Sequence, residues 1–343
     1  MSLFGIEILA LIGFLIAAYS VVANDAIQTL GTFLSSNAKR PWWLLWLFAG
    51  TILILVMVIG YNTQNGDIAF GRLNRLPYPE NGVQWYHVLP PAVLLILTRY
   101  GIPVSTTFLV LTVFALTGGA ATEGVLGKML IKSALGYAVA FAAGALVYTL
   151  ISRSWSRWIH NTKNDDLPVY WTGLQWSATA FLWWQWLEQD FANIFVFLPR
   201  TTTQFAGATQ VTFDLSTLIL GTVVMTLYLG WVFKSQGGKI QRIVLAKTNT
   251  TDIRAATVID LMFAITLYIF KEMNDIPMST TWVFLGLIAG RELAISFVSN
   301  LRPRSETIKD VTADMGRLFL GLLISILLAV FVPWIATGQL ITL

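Results

Sequence analysis

No cysteine occurs in the 343 residues, which excludes disulfides, thiolate nucleophiles and Cys-ligated metal centres. Histidine is nearly as scarce. His87 and His160 are the two in the chain; both read as members of polar connecting segments, and two are too few for a metal cluster. Charge is thin as well: Asp, Glu, Lys and Arg make up 12% of the residues, where a soluble domain carries about a quarter. The opening "MSLFGIEILAL" has no basic n-region and no small-residue cleavage site, so its apolar run is read as retained and not as a cleaved signal.

What fills the chain instead is apolar. Hydrophobic residues account for 56% and mean hydropathy is +0.68. Runs of spanning character recur at 3–22, 42–60, 130–150, 169–187, 213–233, 256–270 and 318–336; a bilayer crossing takes roughly 20 apolar residues. The fourteen Trp gather near the ends of such runs, as in "PWWLLW" and "WTGLQW", where an amphipathic ring suits the headgroup region. The fold class expected is an all-α polytopic membrane protein embedded in a cell membrane, plasma or inner. The net charge of +4 fits membrane topology and implies no nucleic-acid partner.

Counting Lys and Arg by side gives an orientation. The connectors 37–41, 151–168, 234–255 and 300–317 hold fourteen basic residues, whereas Arg72, Arg75, Arg99, Lys128, Lys132 and Arg200 fall on the opposite face. The positive-inside rule then makes the first face cytoplasmic and leaves both termini outside. In this layout 61–87 is an outer surface loop and 234–255 a basic cytoplasmic one.

Two motifs occur twice and in the same order. "VANDAIQTLGT" at 22–32 and "LEQDFANIFVF" at 187–197 each set an Asp beside an amide, with another amide three residues on. Each is followed some eighty to ninety residues later by IPxSTT, "IPVSTT" at 102–107 and "IPMSTT" at 276–281. The positive-inside layout gives the copies opposite orientations. The expected organisation is therefore two inverted-topology repeats, 1–150 and 169–343, joined by a cytoplasmic connector at 151–168, with broken helices and re-entrant STT hairpins.

The chemistry follows from residue type. A proline fits the first position of a helix, so Pro103 is expected to open one with Ser105, Thr106 and Thr107 in its first turn, and Pro277 to do the same for Ser279, Thr280 and Thr281. Free amides, the positive dipole end and hydroxyls there cradle an anion without a charged side chain. Ser and Thr in apolar helices also serve simply as interhelical glue. A helix starting near Asn24 would stack Asp25, Gln28, Thr29 and Thr32 on one face, a set of hard oxygens suited to Na⁺; Asp190 and Asn193, beside Gln189, repeat it. An intramembrane carboxylate marks an ion or proton pathway by default. Lys271 with Asp275, and Arg291 with Glu292, Glu272 or Glu188, read equally well as structural pairs.

These residues carry a family likeness. "ANDAIQTLGT" resembles the GANDVANSFGT signature of the PiT family of sodium–phosphate symporters, and "PVSTTF" and "PMSTTW" resemble its PVSTTH. Gln28 and Gln189 stand where that family usually has Asn, Val22 where it has Gly, and Phe108 and Trp282 where it has His. The resemblance implies a homodimeric symporter importing inorganic phosphate with Na⁺ as coupling ion and no other cofactor. It implies cation binding by Asn24, Asp25, Gln28, Gln189, Asp190 and Asn193, with Na⁺ at Asp25 and Asp190. It implies oxyanion binding by Ser105, Thr106, Thr107, Ser279, Thr280 and Thr281. Sulfate as cargo, and H⁺ as the coupling ion, stay open as alternatives. An enzyme is disfavoured, since a serine nucleophile needs an activating base and no His, Cys or Lys lies near either STT.

Overall fold

The computed structural model describes residues 2–3, 6–100, 102, 104–118, 124–162, 166–205, 208–238, 241, 252–273, 277–299 and 303–338. The chain starts with a small antiparallel hairpin, β1 (Ser2–Leu3) and β2 (Ile6–Glu7), not with helix, so the first apolar run turns helical only at Ile8. From there α1 (Ile8–Val21) passes through a π-helical turn, Val22–Ala26, into α2 (Ile27–Ser36). The helix thus runs through the first motif and does not begin at Asn24.

Next come α3 (Trp42–Thr63), α4 (Trp85–Arg99), α5 (Thr106–Thr117), α6 (Val125–Asn161) and α7 (Tyr170–Phe195). After the hairpin β3 (Thr201–Phe205) and β4 (Ala208–Thr212) follow α8 (Leu215–Lys234), α9 (Ile253–Met273), α10 (Thr280–Ser299) and α11 (Arg304–Thr337).

Among the described residues seven helices are long and apolar enough to cross a bilayer, which makes this a multi-pass membrane protein. Six of them contain runs expected to span. The run at 169–187 is not among the seven, although it lies in α7, because Gln175, Thr179, Gln185 and Glu188 lower its hydropathy. All four are buried by neighbouring helices, so α7 needs no apolar face toward lipid there. In its place stands Thr280–Val298 of α10, half of what was read as a re-entrant hairpin. Helix α6, with 37 residues, is about 55 Å long at 1.5 Å per residue, well beyond a hydrocarbon core of about 30 Å. Arg153 and Arg157, expected in a connector, therefore lie on its last turns.

Helix pairing brings the motifs together. Helix α6 lies along α10 and α5 along α11; α9 lies along α7 and α4 along α1; α3 and α8 pack on each other. The two motif-bearing helices are antiparallel. At one end Asn37 Nδ2, just past α2, donates to Gln175 Oε1 at the start of α7 (3.1 Å); at the other, Gly13 of α1 meets Phe197 just past α7. Helices α4 and α5 form a hairpin whose open end is held by His87 Nε2 and Thr117 Oγ1, 3.2 Å apart. His87 is no connector residue. It is buried in the first turn of α4, accepts from the Gln84 amide and stacks on Phe114.

The segment 61–87, expected as an outer surface loop, is only partly at the surface: Gln64, Asn65, Arg75 and Glu80 are exposed, but the middle of the loop 64–84 turns inward. Asp67 Oδ1 and Oδ2 accept from the amides of Ala69 (2.8 Å) and Gly71 (2.6 Å), which winds the segment tightly enough to bury Ile68, Leu73 and Leu76 completely. Arg72 is buried with them, and its Nη2 donates to Lys271 O (3.5 Å). Arg200 donates to Leu76 O (2.6 Å) and lies over the Tyr78 ring; burial pushes the Tyr78 phenol up to about 12.

Glycines let α10 lie close against α6. A Cβ on Gly290 would land on the carbonyl oxygen of Phe141 in α6, and one on Gly286 on that of Tyr137. Small residues four apart let membrane helices approach backbone to backbone. Gly290→Ala is expected to destabilise the fold by about 1–3 kcal/mol, the usual cost of overpacking, read as a lower melting temperature in detergent. An unchanged melting temperature would mean that the α6–α10 contact yields freely.

Candidate functional site

The π-helical turn Val22–Ala26 puts one extra residue into the helix, and such turns recur at functional sites because they present side chains a regular helix would not. Here Asn24 and Asp25 are buried against the start of α5. Asn24 Nδ2 donates to Asp25 Oδ1 (2.6 Å) and to Val104 O (2.9 Å). Gln28 Nε2 also reaches Asp25 Oδ1 (3.3 Å). The Asp25 carboxylate is thus ringed by donors, with no cation at ion-pair distance among the described residues.

Both hexapeptides break helix in the same way. Ser105 is the N-cap of α5, its Oγ accepting from the Phe108 amide (3.2 Å), and Ser279 Oγ accepts from the Trp282 amide (3.3 Å). The serines therefore precede the first turn, while Thr106–Thr107 and Thr280–Thr281 open the helices. Pro103 lies outside the described residues. The helix starts then lock to each other reciprocally: Thr107 Oγ1 donates to Met278 O (3.1 Å), and Thr281 Oγ1 to Val104 O (3.4 Å). Val104 and Met278 occupy the same place in their hexapeptides. The next residues, Phe108 and Trp282, meet edge to face with centroids 5.6 Å apart. Two positive helix ends are thereby held together, and an α-helix leaves its first-turn amides without intrahelical partners.

The two acidic motifs join through Thr106. Its Oγ1 donates to Asp25 Oδ2 (2.5 Å) and accepts from Asn193 Nδ2 (3.0 Å); that amide also reaches Thr107 Oγ1 (3.2 Å) and Asp190 Oδ1 (2.6 Å). Thr281 adds a hydrogen bond to Asp25 Oδ1 (3.3 Å). All twelve residues expected at the site are buried. Five oxygens of the two motifs, Asn24 Oδ1, Gln28 Oε1, Gln189 Oε1, Asp190 Oδ2 and Asn193 Oδ1, are buried with no hydrogen-bond partner among the described residues. Buried acceptors are normally satisfied. Amide and carboxylate oxygens are the ligands a hard cation takes, so this donor set fits Na⁺.

Not every expected residue joins. Thr29 Oγ1 bonds back to Asp25 O (3.1 Å). Thr32 turns away to Asp260 of α9, whose carboxylate also accepts from Thr179 Oγ1 (2.6 Å) and Gln175 Nε2 (3.4 Å). Asp260 is fully buried and was missed from sequence, although a lone Asp in the apolar run "VIDLMF" is itself a signal. The flanking charges pair among themselves. Lys271 Nζ reaches Glu188 Oε2 (2.7 Å) and Glu272 Oε1 (3.4 Å), and Arg291 pairs with Glu292 and covers Tyr148. Asp275 lies outside the described residues.

A solved structure of a sodium-dependent phosphate transporter superposes on this chain with a TM-score of 0.59, covering 97% of this chain and 98% of its own, at 16% sequence identity. The chain shares that transporter's fold. No protein-family model matches it, and no curated protein matches it by sequence. The shared fold accounts for nearly the whole chain.

Proposed function

We propose that this chain is a symporter that imports a tetrahedral inorganic oxyanion, phosphate foremost, coupled to Na⁺, and that it is not an enzyme. The observation that carries the reading is the reciprocal pair of hydrogen bonds joining the two STT helix starts above Asp25, with Asp190 tied in through Asn193. Opposed helix N-termini favour an anion, while the buried carboxylates and unpaired amide oxygens favour cations. Neither charge is tolerable alone at that depth; together they offset each other, which is the physical basis of obligatory coupling. The phosphate would lie against the first-turn amides and the hydroxyls of Ser105, Thr106, Thr107, Ser279, Thr280 and Thr281. Na⁺ would take oxygens of Asn24, Asp25 and Gln28 on one side and of Gln189, Asp190 and Asn193 on the other.

Phosphate is favoured over sulfate because the solved structure that shares this fold is of a sodium-dependent phosphate transporter. The recurrent helix pairings, α6–α10 with α5–α11 and α7–α9 with α1–α4, support two inverted repeats, and the short α4 and α5 support a re-entrant hairpin. In this reading both termini face outward, transport proceeds by rocking of one bundle against the other, and the assembly is a homodimer.

In proteoliposomes, labelled phosphate should accumulate above equilibrium only under an inward Na⁺ gradient, with sulfate taken up far less. Uptake that merely equilibrates, or ignores Na⁺, would contradict the proposal.

A further inference from the structure

The sequence writes the two acidic motifs as equivalents, but the structure makes their carboxylates unequal. At Asp25 both oxygens are taken. Oδ1 accepts from Asn24 Nδ2 (2.6 Å), Gln28 Nε2 (3.3 Å) and Thr281 Oγ1 (3.3 Å), and Oδ2 accepts from Thr106 Oγ1 (2.5 Å). At Asp190 one oxygen is left over. Oδ1 accepts from Asn193 Nδ2 (2.6 Å), while Oδ2 is buried with no hydrogen-bond partner among the described residues. Thr280 stands beside this carboxylate and Arg72 acts on it through space; both leave Oδ2 open.

The amides follow the same division. Asn193 gives its Nδ2 to Asp190, Thr106 and Thr107 and keeps Oδ1 without a partner, and Gln189 has none on Oε1 or Nε2 among the described residues. Asp190 and Asn193 are 0% exposed and Gln189 1%, so bulk water does not reach them. A purely structural knot would satisfy both carboxylates, since a buried charged oxygen left unpaired is costly. Only one is satisfied. A cation at Asp190 meets a carboxylate oxygen ready to ligate it; at Asp25 it must first displace a donor, although Asn24 Oδ1 and Gln28 Oε1 nearby are without partners.

We infer that Thr106 and Thr281 latch Asp25: their hydroxyls keep its carboxylate closed to Na⁺ until phosphate draws them away, while Asp190 stands open to Na⁺ throughout. This latch deepens the symport reading and rests on it. Each hydroxyl has a single proton to donate, so a threonine that turns to a phosphate oxygen releases Asp25. Both latch residues belong to the helix starts that face the anion, one from each half. Phosphate thus acts twice at Asp25, removing donors and adding negative charge, and only through its charge at Asp190.

Binding of ²²Na⁺ to the purified protein in detergent, with and without inorganic phosphate, separates the two sites. Without phosphate, Na⁺ binding is lost with Asp190→Asn and kept with Asp25→Asn; phosphate adds further Na⁺ binding, which Asp25→Asn removes. If Asp190→Asn does not fold, Gln189→Met serves instead and weakens the phosphate-independent binding about tenfold. Thr281→Val gives the sharpest readout. With a donor gone from Asp25, Na⁺ affinity there in the absence of phosphate rises about tenfold, whereas mere damage to the site would lower it. Na⁺ binding that is the same with and without phosphate overturns the inference. So does phosphate-independent binding that follows Asp25 in place of Asp190, or a Thr281→Val chain whose Na⁺ affinity is unchanged or weaker. Na⁺-driven phosphate uptake by the unaltered chain is assayed alongside. Uptake with two equal sites removes only the latch; unequal sites without uptake keep the latch and remove the transport reading.

Discussion

Asp25→Asn abolishes Na⁺-driven phosphate uptake while leaving a folded, monodisperse protein. The carboxylate accepts from Asn24, Gln28, Thr106 and Thr281. An asparagine keeps the shape but replaces one acceptor with an NH₂ group facing donors, and it removes the charge that would offset Na⁺. Breaking one side of a buried charge pairing costs about 3–5 kcal/mol, so the apparent Na⁺ affinity should fall by at least about 100-fold, at 1.4 kcal/mol per decade. Stability should not fall in parallel, because a neutral side chain is cheaper than a carboxylate to bury at this depth. Normal uptake by the variant would remove Asp25 from the cation site. A variant that fails to fold would make its role structural.

The second large effect is expected at Thr106, whose hydroxyl donates to Asp25 and accepts from Asn193. Among the described residues it is the hydroxyl that hydrogen-bonds directly to both acidic motifs. Thr106→Val preserves volume but deletes both hydrogen bonds, worth about 1.5–3 kcal/mol for the one to the Asp25 carboxylate and about 0.5–1.5 kcal/mol for the one from the neutral Asn193 amide. Phosphate affinity should fall by about 10- to 100-fold, and Thr106→Ser should restore it to within a few-fold. Combined with Asn193→Ala, the loss should be less than additive by about 1 kcal/mol or more, as for residues that share one network. If the losses simply add, the hydroxyl acts locally and does not link the halves.

The site was legible in sequence because its logic is local. In both copies a serine before two threonines marks a helix start, although the second helix opens at Thr280 and not at Pro277, and an Asp flanked by amides in an apolar run has few uses other than ion handling. The duplicate order of these motifs pointed to a meeting of the two halves; all twelve side chains are buried, and hydrogen bonds link Asn24, Asp25, Gln28, Thr106, Thr107, Thr281, Asp190 and Asn193. Less legible were features set by tertiary neighbours. Nothing local in "VVANDA" announces a π-helical turn; the extra residue is accommodated because Asn24 and Asp25 bond to α5. Thr32 shares the periodicity of Asp25, but Asp260 on another helix competes for it. The run at 169–187 was read as spanning, but not that its polar residues are covered by protein, and 61–87 was read as an outer surface loop although Asp67 winds part of it inward. Arg99 was counted with the face opposite the 234–255 connector, yet it lines one cleft with Ser235, Gly237 and Gly238 at the start of that connector.

The central claim is that one buried cluster binds the cation and the oxyanion together. Phosphate binding to the purified protein, titrated by calorimetry across a series of Na⁺ concentrations, tests it most directly. If the two charges offset each other, phosphate affinity rises with Na⁺ by at least about tenfold, and by linkage phosphate raises Na⁺ affinity by the same factor. Phosphate binding of equal strength with and without Na⁺ would contradict the account, because the helix starts would then hold the anion without help from Asp25 and Asp190.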